Sequence, residues 1–456
     1  MNNGITTYYF LGIGGIGMSA LARYFNAKGF CVMGYDRTRT PLTEQLEREG
    51  IDIHYSPLNP PQGDLKPDNT IVVFTPAVPQ DFEEFQYFKN NGFTMLKRAQ
   101  VLGEITRNSK GICIAGTHGK TTTSTMTAHL LRQSNIDCSA FLGGVSKNYN
   151  TNLLLANSDF VVIEADEYDR SFHQLTPYMA LITAVDADHL DIYGNKDEFR
   201  KSFEIFASKV RENGYLIVRH GIELELNLQN GVQHYTYSGT SEGDFHAENI
   251  KIKTGEITFD FVTPNEIITN IQLGVPVLIN VENAVGAMAL AYVAGVTPNE
   301  LRAAMASFKG IKRRFDMQVK TEQIVYIDDY AHHPEELKAS ISSIKTLYPN
   351  RRVCGIFQPH LYSRTRDFAQ EFGASLSLLN ELILLDIYAA RELPIEGITS
   401  DVIFEHVTIE HKMRAKKDEV LDILKQKLQN NEIDILVTFG AGDIDQLIKP
   451  ITNLIT

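Results

Sequence analysis

Short runs of apolar and β-branched residues at 8–13, 30–35 and 71–74 alternate with the stretches 18–28 and 41–49, whose patterning is helical. That rhythm predicts βαβ units and a parallel sheet. A second series begins near residue 110, where the apolar run 111–115 opens into a helix-forming stretch at 121–132 and is followed by strands at 160–163 and 180–184. Between 243 and 277 polar and apolar residues alternate with little helix signal, which predicts a small antiparallel sheet at the edge of this second domain. Helical patterns at 282–294 and 298–307 close it. Beyond the basic segment 309–314, strand patterns return at 324–328, 353–357, 382–386 and 435–439. The expected boundaries are therefore 1–107, 108–312 and 313–456.

The length of 456 residues fits three domains at about 150 residues each. A composition of 43% hydrophobic and 22% charged residues is that of ordinary globular chains. The formal net charge of -13 disfavours broad binding to nucleic acid or anionic lipid but leaves room for a small anion at a local basic cluster. Cys31, Cys113, Cys138 and Cys354 are scattered, with neither a CxxC pair nor zinc-finger spacing, so reduced thiols are expected. The opening residues lack the basic and apolar regions of a signal peptide, and no apolar run reaches the roughly 18 residues of a membrane span. A cytoplasmic protein is expected.

The sharpest local signal is Gly116-Thr117-His118-Gly119-Lys120-Thr121-Thr122, set between a predicted strand and a predicted helix. Small residues there let successive backbone N–H groups face a phosphate, Lys120 supplies a point charge, and the Thr121 hydroxyl can ligate Mg²⁺. Ile114 stands where the general phosphate-loop pattern has glycine, so this is a compact variant. A second glycine turn, with Gly12, Gly14, Gly15 and Gly17, follows the first strand, and Asp36 ends the next. Such a turn admits a diphosphate whether it belongs to NAD or to a UDP-sugar. Glu164 ends the apolar run 161–163 where a metal-holding acid would stand. His189 lies among the carboxylates of Asp186, Asp188 and Asp191. Two later strand ends, 328–334 with Tyr330 and His332 and 358–366 with His360, Tyr362 and Arg364, gather polar groups; helix capping and surface charge explain either one taken alone. Arg313 and Arg314 face solvent by default, or a phosphate if the segment closes over a nucleotide.

In this order, GIGGIGMSAL, AGTHGKTTT, EADE, DADHLD, INVEN, KRRFD, DDYAHHP and FQPHLYSRTRD resemble the Mur ligase family over nearly the whole chain. Within it the opening, central and late motifs are similar to the branch that adds L-alanine. The resemblance implies an α/β chain of three successive domains: Rossmann-like for the UDP-sugar, a central P-loop ATPase with its small antiparallel sheet, and a Rossmann-like carboxy-terminal domain on the amino-acid side. It implies ATP and Mg²⁺ as cofactors, and UDP-N-acetylmuramate and L-alanine as the molecules joined. On this reading Gly116 to Thr122, Asn280 and Asn283 bind ATP, with Lys120 on its phosphates. Thr121, Glu164 and His189 hold or approach the metal, and Arg313 or Arg314 meets the nucleotide. Gly12, Gly14, Gly15, Gly17, Asp36, Tyr330, His332, His360, Tyr362 and Arg364 line the substrates. Ile279 replaces the family's usual histidine, Leu361 an arginine common in relatives, and Lys201 is out of register for the carbamoylated lysine of sister ligases.

Rival readings are a recycling ligase of the same family, which joins a tripeptide to the same sugar, a nicotinamide-dependent oxidoreductase built on the first glycine turn, and a non-catalytic nucleotide switch. The first is disfavoured by the opening and late motifs. The second leaves the phosphate loop without a purpose, and the third leaves a full set of acidic and basic ligands unused.

Overall fold

The computed structural model describes residues 4–58, 61, 63, 65–186, 190–253, 255–390 and 392–456, apart from the side chains of Leu190 and Asp191, and among the described residues three sheets form. By contact the chain divides into two units. The first comprises Met1–Glu248, Phe259–Ile271 and Glu282–Phe308; the second comprises Asn249–Thr258, Gln272–Val281 and Lys309–Thr456.

In the first unit, five parallel strands run in the order Asp52–His54, Cys31–Tyr35, Thr7–Leu11, Thr70–Phe74, Thr94–Lys97. Thr7–Leu11 is buried along its whole length, as a central strand covered on both faces must be. The strand order reverses there, and the turn Gly12–Gly17 leaves its carboxyl end, the position at which open α/β sheets hold ligands. Helix Pro41–Arg48 starts cleanly because Thr40 and Thr43 cap each other's backbone and Pro41 presets the first turn.

The second sheet has ten strands. Its parallel heart is Lys110–Ala115 between Met179–Ile182 and Phe160–Glu164, extended by Tyr215–Arg219 and Gln233–Ser238 on one side and by Ser139–Ser146 on the other. Ser139–Ser146 then pairs antiparallel with Thr151–Leu154. Its Gly143 and Gly144 dilute the strand signal, which is why the patterning does not reveal it. The alternating region 243–277 forms Phe245–Lys253, Glu256–Val262 and Ile267–Gln272, joined by connections too short for a crossover and so antiparallel to one another. These strands do not make a separate sheet: Tyr237 and Ser238 pair in parallel with Phe245 and His246, and the meander prolongs the ten-stranded sheet.

In the second unit, six strands run in the order Asp316–Lys320, Val325–Asp329, Ile435–Phe439, Val353–Phe357, Glu381–Leu384, Lys412–Arg414; the first pairs antiparallel and the rest are parallel. Ile435–Phe439 and Val353–Phe357 are wholly buried at its centre. The polar segments 328–334 and 358–366 leave the carboxyl ends of two of these parallel strands. Among the described residues no helix is long and apolar enough to cross a membrane.

Candidate functional site

A cavity of about 750 Å³ opens in the first unit between the Gly12–Gly17 turn, Gly143 within strand Ser139–Ser146, and the strand end at Glu164. Gly12 has φ +82°, which favours glycine. Gly14 has no room for a side chain, since a Cβ would stand 2.6 Å from Thr43 and 2.8 Å from the Asp36 carboxylate. That carboxylate accepts the Gly14 N–H at 2.7 Å and the Thr38 N–H at 3.1 Å. Asp36 therefore braces the turn while also lining the cavity. Arg98, which the motifs do not reveal, lines it as well, and its guanidinium is 3.0 Å from Asp166. The two residues are 68 positions apart, so no sequence spacing announces them.

The phosphate loop lies in the same unit. Gly116 and Gly119 have φ +137° and +80°, and a Cβ on Gly116 would lie 2.0 Å from the Thr183 hydroxyl. Thr183 donates to the loop's carbonyls, and the Thr117 N–H donates to the Ala184 carbonyl, so the end of strand Met179–Ile182 pins the loop. Lys120 donates from Nζ to the Gly116 carbonyl at 2.6 Å and pairs with Glu167 at 2.7 Å. Glu167 belongs to the acidic EADE segment, but sequence reasoning singles out only Glu164 there. His118 is exposed, 3.8 Å from Asp186. Thr122 is half-buried in the first turn of helix Lys120–Arg132. Asn283 is buried against the loop: its Oδ1 accepts from the Thr123 hydroxyl at 3.3 Å and would lie 2.6 Å from a Cβ on Gly119.

The Thr121 hydroxyl donates to Glu164 Oε1 at 3.0 Å. Neighbouring ligands of an octahedral Mg²⁺ at about 2.0–2.1 Å are themselves about 3 Å apart, so this oxygen pair fits two adjacent positions around the ion. His189 lies outside the described residues, as do Ala187 and Asp188. Among the described residues no group of three or more His, Cys, Asp or Glu side chains forms a metal site by itself.

In the second unit Asn280 is buried and donates to the Val275 carbonyl at 3.3 Å, while Ile279 beside it is 55% exposed. Arg313 is drawn inward. Its Nε meets the buried Asp328 at 3.0 Å, its remaining nitrogens reach the Gly440 and Gly442 carbonyls, and its guanidinium lies 5.6 Å from the centre of the Tyr330 ring. Arg314 is exposed. The half-buried His332 donates from Nδ1 to the Tyr330 carbonyl at 3.0 Å, which leaves Nε2 as the basic nitrogen. Burial lowers its pKa, Glu336 opposes that, and Arg364 and Arg314 reinforce it. His360 lies 6.0 Å from His332, ring centre to ring centre, and stacks on Tyr388 at 5.9 Å. Leu361 is buried at φ +71°, a strained position for a side chain. It starts the short helix Tyr362–Asp367, on which Tyr362 and Arg364 are half-buried. Asp329, next to the site, is pushed up to about 6 by burial, against hydrogen bonds from Ser340 and the Phe315 backbone.

Three family models match the chain: "Mur ligase family, catalytic domain" over residues 7–110, "Mur ligase middle domain" over 114–291 and "Mur ligase, glutamate ligase domain" over 313–442. Curated relatives from Parabacteroides distasonis and Phocaeicola vulgatus are 57% and 56% identical; the first match covers 99% of this chain and 98% of the relative, the second 99% of each. Both carry the name UDP-N-acetylmuramate–L-alanine ligase. Among solved structures, the UDP-N-acetylmuramate-alanine ligase of Thermotoga maritima matches with a TM-score of 0.82 at 27% identity, over 98% of each chain. A murein peptide ligase from Psychrobacter arcticus shares the fold with a TM-score of 0.67 at 23% identity.

Proposed function

The chain belongs to the Mur ligase family, and from that premise we propose that it joins L-alanine to the lactyl carboxylate of UDP-N-acetylmuramate at the expense of ATP, in peptidoglycan precursor synthesis. The observation that carries this reading furthest is Glu164: it lines the substrate cavity and also accepts a hydrogen bond from Thr121 of the phosphate loop. An acid bound with its diphosphate at the Gly12–Gly17 turn and its carboxylate toward Glu164 lies beside the γ-phosphate of an ATP held by the loop.

A carboxylate and an amine do not condense unaided in water, because the leaving group is oxide-like and the ammonium is not nucleophilic. The muramoyl carboxylate oxygen attacks the γ-phosphorus, the β,γ-bridging bond breaks, and ADP leaves with the electron pair. Neutral alanine then adds to the acyl phosphate, loses its proton, and expels phosphate as the amide forms. Lys120 is the charge that follows the transferred phosphoryl group, and Gly116, Thr117, His118, Gly119 and Thr122 supply the backbone that surrounds the phosphates. Mg²⁺, held through Thr121 and Glu164 with His189 as a further candidate, would neutralise phosphate oxygens. Asn283 borders the nucleotide at the loop, and we assign Asn280 to its adenine side.

To the second unit we assign the amino-acid side: His332 with its free Nε2, His360, Tyr330, Tyr362 and Arg364. Arg314 is the better candidate for a nucleotide contact, because Arg313 is committed to Asp328 and two carbonyls. The proposed domains are 1–107, 108–312 and 313–456, and the proposed compartment is the cytoplasm. Phosphate release from ATP and Mg²⁺, with UDP-N-acetylmuramate and L-alanine each omitted in turn, tests the assignment. Release should require both; release only when a tripeptide replaces alanine would move the protein to the recycling branch.

A further inference from the structure

The cavity at the Gly12–Gly17 turn is acidic for a site that takes an anion. Among the described residues that line it, Asp36, Glu164 and Asp166 are carboxylates and only Arg37 and Arg98 are cations. A UDP-sugar acid brings a diphosphate and a carboxylate of its own, so its charge must be met by a guanidinium or an added ion. Arg37 is exposed at the rim. Arg98 is withdrawn, its side chain 23% exposed, and it lies over the glycine turn: a Cβ on Gly17 would stand 2.4 Å from its terminal nitrogen. Gly17 is thus the residue whose lack of a side chain leaves space for this guanidinium.

Asp166, with which Arg98 pairs at 3.0 Å, also lines the cavity, and its other oxygen accepts the Tyr168 N–H at 3.0 Å. Arg98 therefore rests on a carboxylate that a stronger anion can replace. We propose that Arg98 is a substrate-binding residue that reads the diphosphate, moving from Asp166 to the substrate when the cavity fills. This rests on the reading of the cavity as a UDP-sugar site. A guanidinium forks onto two phosphate oxygens at once, which a lysine cannot reproduce. The exchange also reaches the catalytic side, because Asp166 lies between Glu164 and Glu167, the partners of Thr121 and Lys120.

The test is calorimetric binding of UDP, UMP and UDP-N-acetylmuramate to the whole protein without ATP, with ATP binding measured in parallel as the check on folding. Arg98→Ala should weaken UDP about ten- to hundredfold, weaken UMP less, and leave ATP affinity unchanged; Arg98→Lys should recover only part of the loss. Asp166→Asn keeps an acceptor for the Tyr168 N–H but removes the competing charge, so it should tighten UDP severalfold, the opposite of what loss of a structural ion pair would do. Weaker or unchanged UDP binding by Asp166→Asn, or unchanged binding by a folded Arg98 variant, overturns the proposal. A loss confined to UDP-N-acetylmuramate would overturn the diphosphate assignment by moving Arg98 to the sugar acid's carboxylate. Wild-type protein that binds none of the three uridine compounds would instead overturn the reading of the cavity itself.

Discussion

Lys120 does two things at once, and they can be separated by experiment. Its ammonium neutralises Glu167, whose side chain is 3% exposed, and it is the charge assigned to the phosphoryl group. Lys120→Met should lower kcat by at least about a hundredfold and also lower the melting temperature, because Glu167 is left buried without its cation. In the double variant Lys120→Met, Glu167→Gln stability should return and activity should not; activity returning with stability would remove Lys120 from the chemistry. Asp329 supports a pH prediction. Its folded pKa of about 6 lies above the ordinary 3.8, so the folded state binds the proton more tightly. Its contribution is fully present below about 3.8 and is lost as pH rises through about 6. Melting temperatures of wild type relative to Asp329→Asn should therefore fall across that window, and a flat difference would contradict the assignment. His332 has the opposite sign: its lowered pKa keeps Nε2 neutral at pH 7, and protonation on acidification should reduce the alanine-dependent step.

At the scale of elements, the helices whose ends are written in the sequence are those with caps. Thr297, Pro298 and Glu300 form a complete capping box at the start of helix Pro298–Ser307, and Thr297→Ala should cost about 1 kcal/mol of stability with kcat unchanged. Urea unfolding and steady-state rates together check this. The phosphate loop behaves differently. Gly116→Ala forces a Cβ against Thr183 at a φ that disfavours side chains, so ATP affinity and stability should fall together. The central strands and both glycine turns were legible because apolar runs end in glycine or carboxylate at one strand edge. Ser139–Ser146 was not, since its glycines break the pattern, and the edge strands Asp52–His54 and Lys412–Arg414 are too short to carry one.

For the whole molecule, local motifs supplied the chemistry and the fold supplied the pairing. Gly116 to Thr122 and Glu164 could be picked out from spacing, but the bond between Thr121 and Glu164 closes across 43 residues and that between Lys120 and Glu167 across 47. Arg98 had no motif, so its place on the cavity wall emerges only when the two sheets of the first unit are formed. Arg313 shows the converse, a conspicuous basic residue that the fold directs to Asp328. On the proposed mechanism a carboxylate bound in the cavity attacks the γ-phosphate. The most direct test supplies UDP-N-acetylmuramate with both carboxylate oxygens labelled as oxygen-18 and examines the phosphate released with L-alanine and ATP. One labelled oxygen per phosphate is the expected result; unlabelled phosphate alongside labelled amide product would contradict the mechanism.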